Sequence, residues 1–402
     1  MLSSLENQLQ KFRNSFPALS GNLIYFDSAA TSLKPQVLID TTVNFYSTAG
    51  TVHRSQYKEA QSLTDLYEET RTLIARFISA QQPENIIWTK GATESANLIA
   101  HSYFKDILTA DDEIIVSESE HHANLIPWIM LAKTTGATLI TLPLNENAIP
   151  CLDSFKKLIN TKTKLLAITQ MSNLTGAITP LQTFIEVAHR YDCKVVIDGS
   201  QGIVHSSIDV EALNIDFYFF SAHKLYGPTG VGVLYASPSV IDDMQPWQGG
   251  GKMLVHAKME DYIAAEPPYC FEAGTPNIAG IIGFNAVLKW WQQWPLDGFE
   301  KHAISLATKT HHLLSELPLY KRISVPSSSI LTFTLKGIHP SDLDMLLAEQ
   351  NIAIRSGMHC AHPLNRTLGI NGSIRASFAP FNTDKEVELF ISAIKKAVSI
   401  LR

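Results

Sequence analysis

Residues 220–235 read FSAHKLYGPTGVGVLY. A run of aromatic residues ends in Ser221, Ala222, His223 and Lys224, and glycines follow at 227, 230 and 232. Upstream, KVVIDGSQG (194–202) has the same form, an apolar run ending in Asp198. Two strand ends of opposite charge read as a site. In an open parallel α/β sheet, ligands sit beyond the carboxyl ends of the strands, which is where both residues fall.

The neighbouring text supports that sheet. IIWTK (86–90), EIIVSE (113–118), ATLITL (137–142), KLLAIT (164–169), DFYFFS (216–221) and VGVLYA (231–236) read as further strands. Leu63, Leu66, Tyr67, Leu73, Ile74, Phe77 and Ile78 paint one face of a helix between them. Alternating strands and helices imply a largely parallel sheet covered on both faces.

Near residue 240 the pattern changes. PWQGGGK (246–252) and EAGTPN (272–277) are loop-like, and a long apolar helix starts near Ile278. A helix around 301–316, a strand SILTFTL (329–335), a helix over 341–350, short strands IAIR (352–355) and IRASF (374–378) and a terminal helix follow. These elements predict a large domain over 19–290 and a smaller α+β domain over 291–402, with residues 1–18 packed on the latter. KWWQQW (289–294) reads as helix packing between the two.

The 402 residues are 45% hydrophobic and 17% charged, enough for two domains with ample cores. A net charge of −6 without a basic run argues against nucleic acid or anionic lipid as principal partner. The longest apolar candidate, IAGIIGFNAVL (278–288), falls well short of the roughly 20 residues that span a bilayer. MLSSLENQLQKFRNSF lacks the apolar centre of a secretory signal, so a cytoplasmic location is expected. Cys151, Cys193, Cys270 and Cys360 are widely spread, with no CxxC and no Cys/His pair at zinc spacing. Neither a disulfide framework nor a metal is expected. The first three read as small buried hydrophobes.

A lysine after a buried strand suits a Schiff-base nucleophile better than a surface charge. Asp198 either caps a helix or holds a proton on a pyridine nitrogen, the partner that pyridoxal phosphate requires. TKGATESANL (89–98) opens a helix, where amides and the Thr93 hydroxyl form an anion cradle or an ordinary cap. Ser221 and His223 add two candidate phosphate donors. EHHANLIPW (120–128) places histidines after a strand, as structural rings or as a stack on a flat cofactor. IRSGMHCAHP (354–363) sets Cys360 between His359 and His362, with Arg355 near in sequence, and nearby cations favour the thiolate. Arg375, in SIRASFAP, is a fork for a carboxylate or a surface ion pair.

With these residues in view, the chain resembles the pyridoxal-phosphate cysteine desulfurases of the class V aminotransferase family. YFDSAATSLKP, EHHANLIPW, QMSNLTG, DGSQG, SAHKLYGPTGVGVLY, EAGTPN and RSGMHCAHPL follow the family's order over nearly the whole length. IIWTKGATE, PWQGGGKM and GSIRASFAPFNT resemble most the cysteine sulfinate desulfinase type.

The resemblance implies fold type I and a homodimer. It implies that Lys224 carries the cofactor's Schiff base, Asp198 faces the pyridine nitrogen, His121 lies over the ring and Gln201 approaches its phenolic oxygen. Thr93, Ser221 and His223 hold the phosphate, joined by Thr275 from a second subunit. Asn173 and Arg375 bind the substrate carboxylate, and His53 and Arg355 line the pocket. Cys360 accepts sulfur from L-cysteine, leaving L-alanine and a persulfide for an acceptor protein in sulfur metabolism, including iron–sulfur cluster assembly. Cysteine sulfinate and selenocysteine are further implied substrates. A related transaminase would need no Cys360, and a silent scaffold would need none of the site. The chain departs from the family at Ala92 for threonine, Ser200 for alanine, Ala222 for glycine and Met358 for histidine or glutamine. The last alters the polarity around Cys360.

Overall fold

The computed structural model describes residues 4–48 and 56–402. His53 lies outside the described residues. Seven strands form the main sheet: β1 (Ile86–Thr89), β2 (Glu113–Ser117), β3 (Thr138–Leu142), β4 (Thr163–Thr169), β5 (Lys194–Asp198), β6 (Phe217–Ser221) and β7 (Gly232–Ala236). Their spatial order is β1-β7-β6-β5-β4-β2-β3. Pairings from β6 to β3 are parallel, and β7 runs antiparallel to both its neighbours. Leu165–Ile168, Val195–Ile197 and Phe217–Phe220 are fully buried, as expected of central strands covered on both faces.

The opening stretch explains itself here. After β6 the chain makes one tight turn, Ala222–Lys224, and doubles back into β7. A Cβ at Gly227 would lie 2.8 Å from the Ala222 carbonyl oxygen, and one at Gly232 would lie 2.5 Å from the Gly91 backbone. Both glycines are there so that backbone can pack on backbone.

A second sheet holds β8 (Tyr320–Arg322), β9 (Ile330–Leu335), β10 (Arg355–Gly357) and β11 (Ser373–Ser377), antiparallel throughout in the order β8-β9-β11-β10. Helices Leu296–Ser315, Pro340–Ala348 and Asp384–Leu401 share a core with it that includes Leu331, Phe333, Ile374 and Phe390. The last helix starts at a capping box between Thr383 and Glu386. The stretch IAIR, which reads as one strand in the sequence, is two pieces. Ile352–Ala353 pairs in parallel with Ile24–Tyr25, while β10 pairs with β11. Asp27 then bridges to Ser377. The N-terminal segment thus reaches the smaller sheet.

Phe12, on helix Ser4–Asn14, is fully buried among aromatic rings. It stacks on Trp290 at 5.2 Å and meets Phe299 edge-on at 4.9 Å, with Trp291, Trp294, Tyr226 and Phe381 around it. That cluster accounts for KWWQQW. Among the described residues no helix is long and apolar enough to cross a membrane.

Candidate active site

A cavity of about 650 Å³ opens between the carboxyl ends of the central strands and the second sheet. Thr93, His121, Asp198, Ser221, His223 and Lys224 line it from the large sheet's side. Asn173, Arg355, Cys360 and Arg375 line it as well. Ten of the predicted residues, drawn from separate stretches of chain, therefore meet in one place.

Lys224 is half-buried, and its amine has no hydrogen bond or ion pair among the described residues. Burial pulls its pKa below the usual lysine value against the opposing pull of Asp198, and Arg375 adds to the lowering. Asp198, at the end of β5, is buried and accepts from the Ser200 amide at 2.8 Å. Ser221, at the end of β6, accepts from the Ala92 amide at 2.8 Å. That bond fastens the strand end to the first turn of helix Ala92–Ile99, which presents Thr93 to the cavity.

His121 accepts the Ala123 amide on Nδ1 at 3.0 Å, so the neutral ring carries its proton on Nε2. Burial, assisted by Lys224, holds its pKa down at about 4. Glu120, not singled out in the sequence, anchors this turn. It is fully buried and accepts from the Thr169 amide at 2.8 Å and Asn124 Nδ2 at 2.6 Å.

Arg375 is 2% exposed and sits directly across from Arg355 on the paired strand. Two like charges in that register repel. Asp27 resolves the conflict: it accepts from Arg355 at 2.8 Å and from Arg375 at 3.4 Å. Arg375 also donates to the Asn173 carbonyl at 3.0 Å, and its Nε has no partner. Asp27 escaped notice because its partners lie over 300 positions away, |i−j| being 328 and 348. Asn173 Nδ2 donates to the His359 carbonyl at 2.9 Å, which ties the substrate side of the cavity to the cysteine loop.

Cys360 is exposed, and both it and His359 adopt φ of 52°, a left-handed conformation costly for residues with a Cβ. His359 is no cation beside the thiol. It is buried, with Nε2 3.0 Å from Ser373 Oγ, and burial holds its pKa at about 3, so the ring is neutral. His362 instead meets the His122 ring edge-on at 4.6 Å. Met358 lines the cavity beside the loop, while its carbonyl accepts from Asn365 Nδ2 at 2.9 Å.

Two predicted residues lie off this cavity. Gln201 donates to the Ala29 carbonyl at 2.6 Å and lines a small adjoining cavity of about 30 Å³, which Lys224 also reaches. Thr275 lies with Lys90, Glu94 and Gly230 in another cavity of about 370 Å³. Of the remaining cysteines, Cys193 and Cys270 are buried, with burial pushing both thiols up. Cys151 is half-exposed because it caps the surface helix Leu152–Leu158. Among the described residues no group of three or more His, Cys, Asp or Glu could hold a metal.

The donor set fits pyridoxal phosphate. An unpaired lysine and a buried carboxylate end adjacent strands, and hydroxyls gather at a helix start beside them. Three buried groups in residues that line the cavity, Ser200 Oγ, His359 Nδ1 and Arg375 Nε, have no protein partner among the described residues. Such groups are rarely left unsatisfied, so polar ligand atoms belong there.

The class V aminotransferase family model matches residues 24–390. The chain is 46% identical to cysteine desulfurase CsdA of Escherichia coli strain K12 over 97% of its length and 98% of the relative's. A probable cysteine desulfurase of Vibrio cholerae is 42% identical over 98% of the chain and 99% of its own length. Among solved structures, that of E. coli CsdA (S-sulfonic acid) superposes with a TM-score of 0.94 at 44% identity, covering all of both chains. The apo cysteine desulfurase of Thermococcus onnurineus gives 0.92 at 33% identity, covering 99% of each. The fold is the type I arrangement, and the chain belongs to the class V aminotransferase family and, within it, to the cysteine desulfurases of the CsdA type.

Proposed function

We propose that the chain removes sulfur from L-cysteine with pyridoxal phosphate, releasing L-alanine and leaving the sulfur on Cys360 as a persulfide. One observation carries this reading. Cys360, exposed on a strained loop, opens onto the same cavity as Lys224, Asp198 and Arg375. A transaminase has no use for such a thiol.

Bound, pyridoxal phosphate supplies an electron sink that eases loss of the substrate's Cα proton. Thr93, Ser221 and His223 would hold its phosphate, Asp198 its ring nitrogen and Gln201 its phenolic oxygen, with His121 facing the ring. Lys224 is the amine that would hold the cofactor and, when free, would take up the Cα proton. Its lowered pKa suits it to that exchange. Arg375, aimed by Asp27 and helped by Asn173, grips the substrate carboxylate. Arg355 borders the pocket.

The Cys360 thiolate attacks the substrate sulfur. An S–S bond forms, the Cβ–S bond breaks, and the electron pair left on carbon takes up a proton to give alanine. A persulfide at an exposed cysteine is ready for transfer to an acceptor protein. Cysteine sulfinate, which can lose its sulfur as sulfite, needs no thiol; selenocysteine follows the path of cysteine.

The active form is a cytoplasmic homodimer in which the Thr275 loop of one copy completes the phosphate site of the other. The place of Thr275, away from its own chain's cavity, supports that exchange. The test is alanine release from cysteine, cysteine sulfinate and selenocysteine by the native protein. Production of a keto acid in place of alanine would point to transamination.

A further inference from the structure

Trp128 sets the polarity of a fully buried chain of hydrogen bonds that it forms with Asn124 and Glu120. Its indole N–H can only donate, and it donates to Asn124 Oδ1 at 3.0 Å. Asn124 therefore presents its Nδ2 protons the other way, to Glu120 Oε2 at 2.6 Å. The Thr169 amide, a second obligate donor, reaches Glu120 Oε1 at 2.8 Å. Both carboxyl oxygens are thus acceptors. Burial and the charge of Asp198 raise the pKa of Glu120 well above the usual value, but a proton taken up would point to Ser119 Oγ, 3.5 Å from Oε1, and leave both acceptances in place.

The chain joins two places that face the cavity. Pairing between β2 and β4 ends at Val116 and Ala167. Beyond it the Thr169 amide faces the space that β2 has left, and Glu120 fills that space with a carboxyl oxygen. Gln170, one residue on, turns the opposite way and donates to the Asp198 carbonyl at 2.9 Å. At the other end of Glu120, the Asn124 amide closes a tight turn on the His121 carbonyl at 2.8 Å. The same turn fixes His121 Nδ1 through the Ala123 amide. Glu120 lies between the two and bonds to both sides.

We propose that Glu120 is a positioning residue: it braces the His121 turn against the strand end beside Asp198 and so holds the imidazole at the cofactor ring. The inference rests on reading His121 and Asp198 as the groups that face that ring. Glu120→Gln keeps the shape but turns one acceptor into a donor, so an N–H meets either the Thr169 amide or Asn124 Nδ2. Turning the Asn124 side chain over only moves the clash to the Trp128 indole. Adding Asn124→Asp removes it, because aspartate accepts from both the glutamine amide and the indole.

The visible circular dichroism band of bound pyridoxal phosphate reports the surroundings of the ring without any turnover. Glu120→Gln should move that band towards the one given by His121→Ala and speed amide exchange over residues 118–128. It should also lower kcat for cysteine sulfinate about ten- to a hundredfold, the scale of one buried donor left without an acceptor. Cysteine sulfinate needs no thiol, so this readout is independent of Cys360. Glu120→Gln with Asn124→Asp should restore the band and the exchange pattern and bring kcat within about threefold of native. Introduced into His121→Ala, Glu120→Gln should leave the band where it is, because it acts through that ring. A native band in Glu120→Gln, or a loss that Asn124→Asp does not repair, would overturn the proposal. Should Glu120→Gln fail to fold, the double variant decides: folding with a native band supports the brace, and failure to fold refutes it. If the native protein binds no pyridoxal phosphate, the cofactor reading falls instead, while amide exchange in the two variants still decides whether Glu120 braces the turn.

Discussion

The backbone amide of His122 donates to the carbonyl of Cys360 at 2.8 Å. The sulfur-bearing loop is thereby fastened to the turn that carries His121, through main chain alone. A side-chain replacement at 360 leaves that tether in place. Alanine at the same left-handed φ costs no more than cysteine does, about 1–2 kcal/mol.

The thiol can therefore be tested by itself. Cys360→Ala should lose nearly all turnover of cysteine while keeping most of its activity on cysteine sulfinate. A ten-thousandfold loss corresponds to about 5.4 kcal/mol of transition-state stabilisation, reasonable for a missing nucleophile. Alanine formation at saturating substrate decides it. Equal and severe losses on both substrates would give Cys360 a structural task.

Lys224→Ala should abolish turnover of every substrate. Lys224 is the one lysine among the described residues that line the main cavity, so no neighbour can replace its amine. The check is borohydride reduction of the purified variant, which should fix no cofactor to the chain. A variant that still made alanine would move the Schiff-base site elsewhere.

Asp27→Asn keeps the size of the side chain and removes its charge. Arg355 and Arg375 would then face each other across the strands with one neutral acceptor between them. We expect kcat/KM for cysteine to fall about ten- to a hundredfold, mostly through KM, because the fork that grips the carboxylate is no longer aimed. Steady-state kinetics with an unaltered KM would contradict this account of Asp27.

Glu272 governs acid stability. Its carboxylate accepts from Arg71 at 2.8 Å, Lys252 at 3.0 Å and the Trp88 amide at 2.9 Å, all in the interior. Burial alone would raise its pKa, but Arg71, aided by Lys252, brings it from 4.5 down to about 2. The unfolded chain therefore takes up this proton at higher pH than the folded one. The resulting stability is complete above about pH 4.5 and is lost as pH falls towards 2. Glu272→Gln should flatten that acid limb and cost about 3 kcal/mol at neutral pH, since buried Arg71 then keeps only the partly exposed Glu68 as counterion. Urea unfolding from pH 2 to 7 measures both, and an unchanged acid limb would assign it to other groups.

The strands of the main sheet were legible because each is a short apolar run rich in β-branched or aromatic residues, most of them ended by a charge or a hydroxyl. Observed ends differ from those read in the sequence by no more than one residue, as in 86–90 against Ile86–Thr89. Lys224 and Asp198 were legible for a related reason, each following an apolar run, and Cys360 was legible as a thiol between two histidines in a polar loop. Asp27 and Glu120 were not. Their roles come from partners on distant strands, and nothing local marks a carboxylate that will sit between two arginines. The inward turn of His359 was equally hidden, since it depends on the Ser373 hydroxyl on the neighbouring strand. The exposed hairpin Leu254–Ala257 and Tyr262–Ala264 was missed because its edge strands carry little alternation.

The bridge from Asp27 to Ser377 also sets the order in which this protein matures on the ribosome. Ile24, Tyr25 and Asp27 precede every strand of the main sheet in the sequence, and their partners Ile352, Ala353 and Ser377 follow all of them. Every strand of the main sheet is translated before them, so that sheet can collapse while Asp27 still waits. The first 370 residues hold Lys224, Cys360, Asp27 and Arg355, but not Arg375, the second guanidinium that Asp27 accepts from. The grip on an amino-acid carboxylate is therefore completed later in synthesis than the main sheet and the lysine that follows its sixth strand.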